Sequence, residues 1–369
     1  MVDGPPSMSE DRVVVLGYGL VALSCAVALA ERGTKVTLIG EIREGEASPA
    51  AAGMLAPGVE QSSGAAHSFA VAARDRYVTF LDWVERAAGA RIALDRNGIL
   101  QLAHSAADAA ALQRDCAPEA KWLDAAQLRA LEPALSPAHG ALFHELDGAV
   151  DNATLVSALR EYAARAPGIT VVNGAAVAVE TGDNEPTVRS AVGRHYTGRT
   201  IVVATGAWTA GLAGLPRAIP VEPLRGQMLE VAGSPIRHVA FAGHGYIVPR
   251  AGGTTFVGST SERTGFDNAI TDDGAEHLRA VATGISPAFG SSPTLRHWSG
   301  LRPMSPDMAP IIGRDPDRPY LLYAVGHSRN GVLMAPLTGD CIAALACGEE
   351  PPYDLSPFAV TRFSGSTTR

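Results

Sequence analysis

The sequence predicts an α/β protein of two domains, one built on a parallel Rossmann-like sheet and the other on an antiparallel sheet. Residues 13–40 alternate strand, helix and strand patterns, which is the order of a parallel βαβ unit. Between Val221 and Val257 apolar residues recur with period two, in "QMLEV", "GYIVPR" and "TTFVGS", which indicates antiparallel strands. The chain of 369 residues is also too long for one simple core.

The motif "GYGLVA" joins the first buried strand to a helix that we expect over residues 20–32. Gly17, Gly19 and Ala22 match the G-x-G-x-x-[G/A] pattern of a dinucleotide cradle. Gly17 would permit the tight turn, Gly19 would let backbone approach a phosphate, and Ala22 would let helix and strand touch. The N-terminus of the helix favours an anion at this point.

Two alternatives compete with a nucleotide cradle. The stretch Val13–Ala30 carries no charge and reaches the length of a membrane span, although the early glycines and the strand after Lys35 argue against a span. The glycines could also serve packing alone, which a single motif does not exclude. A second nucleotide-binding feature has to decide between these interpretations.

The segments that follow predict further pieces of both sheets. The loop Ala47–Val59 is small and almost uncharged, so it can lie against a flat ligand or simply cross between domains. Helical periodicity covers residues 67–88, and Asn97-Gly98 indicates a hairpin turn.

The later segments return to the pattern of the first domain. Residues 151–165 predict a capped helix, and "TIVVATGAW" predicts a second buried strand that ends in small residues at Ala204 and Gly206. We expect Pro336 at the N-terminus of the last helix, where proline is favoured.

Composition excludes several classes of function. The net charge of −8 offers no electrostatic basis for binding nucleic acid or an anionic membrane surface. The four cysteines lack C-x-x-C spacing, so we expect buried reduced thiols and a cytoplasmic protein. No histidine cluster has zinc spacing, so no metal site is predicted, and "GHSRNG" misses the G-x-S-x-G elbow of serine hydrolases by one residue.

The chain resembles the glycine oxidase and D-amino-acid oxidase family of FAD-dependent amine oxidases, most closely its thiamine-biosynthesis glycine oxidases. The resemblance rests on "GYGLVA", "ASPAAAGMLAP", "PLRGQML", "GYIVPR", "GLRPMSPDMAPIIG" and "GHSRNGVLMAPLTGD", which span nearly the whole chain in the family's order. It implies a discontinuous FAD-binding domain and a substrate domain on an antiparallel sheet. The FAD domain would comprise residues 11–60, 145–220 and 300–365, and the substrate domain residues 61–144 and 221–299.

The resemblance implies FAD as cofactor, with its pyrophosphate at the glycine motif and its flavin ring between the domains. The FAD-binding positions that it implies are Gly17, Gly19, Leu20, Val21, Ala22, Glu41, Ser48, Ala51, Ala52, Gly53, Met54, Val177, Thr205, Gly206, Trp208, Asn330, Gly331, Val332 and Leu333. Backbone N–H groups of "RNGVLMAP" would face the flavin edge where negative charge appears on reduction.

The substrate carboxylate would be held by Arg302 in "GLRP" and Tyr246 in "GYIVPR", with Arg329 as a further anion contact. A planar guanidinium grips a carboxylate with two parallel bonds, and a phenol adds a third donor. Alternatively, Arg302 pairs with Asp307, and Tyr246 only fills a sheet face. The resemblance also places His244 at the entrance of the substrate pocket, which Ser261 and Ser328 would line.

The sequence departs from the family pattern at several positions. The acidic residue that binds the adenosine ribose is replaced by Gly40, with Glu41 one position late. Ser261 and Ser328 stand where bulkier side chains are frequent, so we expect a pocket that accepts amino acids larger than glycine. Residues 298–307 contain no cysteine and residues 258–267 no lysine, which are the FAD tether and the O2-activating group of related sarcosine oxidases. We therefore expect non-covalent FAD.

The implied reaction is oxidation of a small amino acid, such as glycine, sarcosine or a small D-amino acid, with O2 as electron acceptor. Hydride transfer from Cα to flavin N5 would leave an imine that water hydrolyses to a 2-oxo acid and ammonia. The alternatives are a D-amino-acid or N-methyl-amino-acid dehydrogenase that does not use O2, a non-catalytic flavin-binding subunit, and an NAD-linked enzyme. Homo-oligomers are common in this family, but no interface is evident in the sequence.

Overall fold

The computed structural model describes residues 12–60, 64–114, 116, 119–181, 186–243 and 245–363. In chain order the strands are β1 (Arg12–Leu16), β2 (Lys35–Gly40), β3 (Met54–Leu55), β4 (Leu94–Asp95), β5 (Ile99–Ala103), β6 (Lys121–Asp124), β7 (Gly140–His144), β8 (Gly148–Val150), β9 (Ile169–Asn173), β10 (Ala176–Thr181), β11 (Pro186–Ser190), β12 (His195–Thr197), β13 (Thr200–Val203), β14 (Glu222–Ala232), β15 (Val239–Ala242), β16 (Gly245–Pro249), β17 (Thr254–Gly258), β18 (Thr294–Met304), β19 (Ile311–Arg314) and β20 (Leu321–Val325). The α-helices are α1 (Leu20–Glu31), α2 (Ala47–Ala50), α3 (Gly64–Ala88), α4 (Ala106–Arg114), α5 (Ala125–Leu131), α6 (Asn152–Arg165), α7 (Asp272–Ile285) and α8 (Gly331–Cys347).

The first large sheet has the strand order β19-β20-β13-β1-β2-β9. Its neighbouring strands run parallel, except that β19 runs antiparallel to β20. Residues 13–16 of β1 are fully buried, as the unbroken aliphatic run requires in a sheet covered on both faces. The uncharged stretch Val13–Ala30 therefore forms a strand and most of a helix, and the membrane-span alternative is wrong. Within the described residues, no helix has the length and apolar character that crossing a membrane requires.

Helices α1 and α8 pack together over one face of this sheet. A Cβ added at Gly339 would lie 2.6 Å from the carbonyl oxygen of Ser24, so glycine allows this close approach. Pro336 lies inside α8, and our expectation of a helix N-terminus there was wrong. Because proline has no N–H, the carbonyl of Val332 lacks its helical donor, and the buried hydroxyl of Tyr77 donates to it instead at 2.5 Å.

The second large sheet has the order β18-β14-β17-β16-β15-β5-β7-β6. Its neighbours are antiparallel, as the period-two pattern predicted, apart from the parallel pair β15 and β5. Helix α7 packs on this sheet through Leu278, Ala282 and Ile285. The strands of the first sheet come from three separate stretches of the chain, and those of the second sheet come from two. The exact domain bounds remain a prediction.

Two local expectations differ from the structure. The arms around Asn97-Gly98 do not pair as a hairpin, because β4 joins β8 in a small sheet whereas β5 pairs with β7 and β15. The turn itself forms, since the Asp95 carboxylate accepts the N–H of Asn97 at 2.9 Å. Cys25 and Cys341 are buried as expected, whereas the chain between α4 and β6 leaves Cys116 exposed.

We predict that Tyr77→Phe lowers the free energy of unfolding by about 1–3 kcal/mol, because it strands the buried carbonyl of Val332 without a donor. Urea unfolding of the flavin-loaded protein, followed by circular dichroism, measures this loss. Tyr196→Phe, on strand β12, removes the same hydroxyl from a side chain that is only partly buried at the edge of a core cluster, and is the matched control. Equal stability of the two variants would contradict the role assigned to Tyr77.

Candidate functional site

A cavity of about 570 Å³ is lined by residues of both large sheets, a volume within the usual range for small-molecule sites. The predicted cofactor positions that line it are Gly17, Gly19, Leu20, Val21, Glu41, Ser48, Ala51, Ala52, Gly53, Met54, Val177, Thr205, Gly206, Trp208, Asn330, Gly331 and Val332. Ala22 and Leu333 are buried behind the cavity instead of lining it. The predicted substrate positions Arg302, Tyr246, Arg329, Ser261 and Ser328 line the same cavity, and His244 lies outside the described residues.

The glycine turn after β1 leaves no room for side chains. Gly17 has φ +121°, and a Cβ there would lie 2.2 Å from the carbonyl oxygen of Ala204, at the end of β13. Gly19 caps α1 and borders the cavity, with Ser48 facing it. Gly17 therefore allows close packing against the end of β13, and both Gly17 and Gly19 bring bare backbone to the cavity, so the two interpretations of the motif are compatible.

The end of β2 has no room for the acidic side chain that the family pattern places there to bind the ribose. A Cβ added at Gly40 would lie 2.6 Å from both the carbonyl oxygen of Gly17 and the Cβ of Tyr18. The guanidinium of Arg160 stacks on the Tyr18 ring at 4.9 Å and holds it in place. Glu41 is the next residue along the chain, and it lines the cavity. Tyr18 was not among the predicted site residues. Its position inside the glycine motif is the signal that could have predicted the steric exclusion of a side chain at residue 40.

The loop between α2 and β3 forms another wall of the cavity. The buried side chain of Asn152 donates to the carbonyl oxygens of Ser48 at 2.7 Å and Ala51 at 3.0 Å. Gly53 has φ +80°, and a Cβ there would lie 2.1 Å from the carbonyl oxygen of Val150. The side chain of Asn152, which no sequence motif predicted, thus fixes the small residues of this loop.

The opposite wall is the turn from β20 into α8. His327 is buried, its Nε2 lies 3.1 Å from Thr338 Oγ1, and burial lowers its pKa to about 3, so the imidazole is neutral at neutral pH. Ser328 has φ +51°, and its hydroxyl accepts the N–H of Ser305 and donates to the carbonyl of Gly326, both at 3.2 Å. These bonds set the position from which α8 begins at the cavity.

Arg302 lies on β18 and lines the cavity. Its guanidinium donates to Ser259 Oγ at 2.7 Å and to the carbonyl oxygen of Thr260 at 3.2 Å. A Cβ added at Gly226 would lie 2.2 Å from the guanidinium nitrogens, so this glycine makes room for it. Asp307 pairs with Arg362 at 2.8 Å, so the alternative pairing of Arg302 with Asp307 is wrong.

No carboxylate among the described residues lies within ion-pair distance of the Arg302 guanidinium. Burial is the largest influence on its pKa and lowers it from the usual value, and the nearby Arg329 acts in the same direction. Tyr246 and Glu60 act to raise the pKa, but their effects do not offset that of burial. The arrangement therefore suits an incoming anion.

Tyr246 lies on β16 opposite Gly258, where a Cβ would lie 2.5 Å from the tyrosine ring. Its ring stacks on Phe241 at 6.3 Å, and its hydroxyl lies 3.5 Å from the sulfur of Met228. The ring therefore packs on the sheet and also borders the cavity. Arg329 ion-pairs with Glu60 at 3.0 Å, a partner that the sequence analysis did not identify.

A family model described as FAD dependent oxidoreductase matches residues 12–345, which is most of the chain. The chain belongs to this DAO family of FAD-dependent oxidoreductases. FAD is therefore its cofactor.

This oxidoreductase is similar to the glycine oxidase of Geobacillus kaustophilus, with 31% identity over 367 residues that cover 96% of this chain and 97% of that protein. The crystal structure of that enzyme matches with a TM-score of 0.90 and 30% identity, over 95% of this chain and 98% of the other. The crystal structure of iminodiacetate oxidase from Chelativorans sp. matches with a TM-score of 0.85 and 25% identity, over 94% and 98% of the two chains.

A bifunctional protein ThiO/ThiG from Synechocystis sp. is 32% identical over 367 residues, which are 96% of this chain and 54% of that protein. The chain thus spans about half the length of this bifunctional relative.

The residues present fit FAD. Gly19 would present backbone to the pyrophosphate, and Glu41 would be the acidic group for the ribose. The small residues from Ser48 to Gly53 that line the cavity would leave room for the ring. Among the described residues, no group of three histidine, cysteine or acidic side chains is placed to hold a metal ion.

We predict that Gly40→Glu, which places the acid where the family pattern has it, weakens FAD binding about tenfold. The new Cβ collides with Tyr18 and Gly17, and overpacking of this kind costs ~1–3 kcal/mol. Flavin fluorescence titration of the apoprotein gives the dissociation constant. Lys35→Gln changes the net charge by the same amount at the exposed start of β2 and is the matched control. Tighter binding by Gly40→Glu would show that the strand end has room for a ribose carboxylate.

Proposed function

We propose that this protein is an amino-acid oxidase that converts a small amino acid, O2 and water into a 2-oxo acid, hydrogen peroxide and ammonia, or methylamine when the substrate is sarcosine. Bound FAD would supply the two-electron chemistry, as acceptor of the hydride from the substrate Cα and as electron donor to O2. The chain's own residues bind and orient the amino acid. Glycine, sarcosine and small D-amino acids are the proposed substrates, in keeping with the glycine oxidases that are similar over nearly the whole chain.

The observation that carries this proposal is the Arg302 guanidinium, which borders the same cavity as the glycine turn and has no carboxylate partner among the described residues. A substrate carboxylate would accept two parallel hydrogen bonds from it. Tyr246 would add its hydroxyl as a further donor. With the carboxylate held at two points, the Cα–H bond has a defined direction toward the flavin.

The proposed role of the protein is orientation rather than proton transfer. His327 is neutral and already engaged with Thr338, and Glu60 is ion-paired with Arg329. Neither is free to act as a general base, so the substrate amine would enter in its deprotonated form.

The pocket is proposed to accept amino acids larger than glycine. Ser328 turns its hydroxyl back to Ser305 and Gly326, so little of its side chain remains to fill the cavity. Ser261 is exposed at the rim. FAD is proposed to be bound without a covalent link, because residues 298–307 contain no cysteine to tether it.

Anaerobic visible spectra test the proposed function. Glycine, sarcosine, D-alanine and D-proline are added in turn to the purified flavoprotein, and air is then admitted. We expect at least one of them to bleach the flavin and the colour to return rapidly in air. Bleaching without recovery would identify a dehydrogenase, and a flavin that none of the four bleaches would overturn the assignment to small amino acids.

We predict that Arg302→Lys lowers kcat/KM for the best of these substrates about 10–100-fold, mainly through KM. Lysine offers a point charge in place of the two-pronged guanidinium, and a hydrogen bond to a charged group contributes ~1.5–3 kcal/mol. Steady-state oxygen consumption separates KM from kcat. Arg296→Lys, at an exposed position on the same strand, is the matched control. An unchanged KM in Arg302→Lys would remove the arginine from substrate binding.

A further inference from the structure

A second cleft, of about 1280 Å³, adjoins the substrate end of the FAD cavity. It is built by the N-terminal part of α3, by β5, α4 and α7, and by the turns at residues 307–310 and 328–330. Nothing in the proposed reaction of a small amino acid uses this volume, which exceeds that of the cavity holding the cofactor and substrate positions.

The cleft and the FAD cavity are adjacent and share several lining residues, which form the wall between them. Phe241, Ser328 and the ion pair of Glu60 with Arg329 border both of them. Gly243 also borders both, and a Cβ placed there would meet nothing within 4 Å. A side chain extending from an amino acid bound at Arg302 would therefore pass toward the cleft beside Gly243 and Ser328, the small residues of this wall.

The lining of the cleft indicates an uncharged occupant. Leu102, Leu112 and Val281 supply aliphatic surface. Two of the carboxylates at its border are ion-paired, Glu60 with Arg329 at 3.0 Å and Asp307 with Arg362 at 2.8 Å. The Asp108 carboxylate accepts the N–H of Ser105 at 2.9 Å, and His104 and His277 also line the cleft. A second substrate carboxylate would have to compete with Glu60 for the Arg329 guanidinium, whereas an alkyl or aryl group needs no charged partner.

We propose that this cleft binds the uncharged side chain of the amino-acid substrate, so that the enzyme also accepts amino acids with side chains longer than that of alanine. The proposal rests on the proposed function, because it takes Arg302 as the anchor of the substrate carboxylate. Phe241 and Ser328 would then be the specificity-determining border between the core of the substrate and its side chain.

Simple carboxylates test the cleft without turnover, because they lack the amine that is oxidised. Isothermal titration calorimetry of the flavin-loaded enzyme compares acetate with octanoate. Each buried methylene contributes about fourfold in affinity, so we expect octanoate to bind at least about tenfold more tightly than acetate. Val281→Trp, on α7 at the cleft, should remove this advantage and leave acetate binding unchanged within about twofold.

Thr283→Trp is the matched control, since it adds the same ring to an exposed position of α7 that does not border the cleft. Ala280→Trp, exposed and on the cleft side, replaces Val281→Trp if that variant does not fold. Octanoate that binds no better than acetate, or that responds equally to Val281→Trp and Thr283→Trp, would overturn the proposal.

Arg302→Lys separates this proposal from the proposed function. Octanoate binding that weakens in Arg302→Lys and in Val281→Trp supports a continuous site, even if no amino acid bleaches the flavin. If the octanoate dissociation constant is unchanged in Arg302→Lys, the fatty acid binds elsewhere, and the assignment of the cleft to the substrate side chain is overturned. Turnover completes the test, because Val281→Trp should lower kcat/KM for D-norleucine about tenfold and leave D-alanine unaffected.

Discussion

The structure depends on the close approach of three strand ends, those of β1, β2 and β13. At Gly17 and Gly40 the neighbouring backbone is so near that a Cβ would lie 2.2 Å and 2.6 Å from a carbonyl oxygen. This crowding is possible only without side chains, and it leaves bare backbone where the first helix begins. A pyrophosphate bound at Gly19, as the family pattern implies, would depend on this contact.

Buried polar side chains hold the walls of the site from behind. Asn152 fixes the loop of small residues, Tyr77 closes the backbone bond that Pro336 leaves open, and His327 ties the turn before α8 to Thr338. Asn152 and Tyr77 donate to carbonyl oxygens of residues that line the cavity, and His327, which lines it, is hydrogen-bonded to Thr338. The walls are therefore set before any ligand arrives, which is how a site that works by orientation has to be built.

The parts of the fold that rest on local patterns were predictable from the sequence. The βαβ unit, the antiparallel strands and the positions of Arg302 and Tyr246 in the cavity belong to this group, the last through resemblance to the family. The partners of strands and side chains were not predictable, because they come from distant parts of the chain. The turn at Asn97-Gly98 shows this, since its arms join different sheets. Likewise, the pairing of Arg329 with Glu60 joins residues 269 positions apart.

The order of the strands in the first sheet also constrains how the protein is made. β1 and β2 are synthesised before the other strands of the same sheet. β13 follows the first three strands of the second sheet, and β20 follows all of them. Contacts of such high sequence separation form late in folding, so the N-terminal third of the chain waits as an incomplete sheet. The wall of the cavity that residues 324–332 provide is consequently added only after both large sheets have all of their other strands.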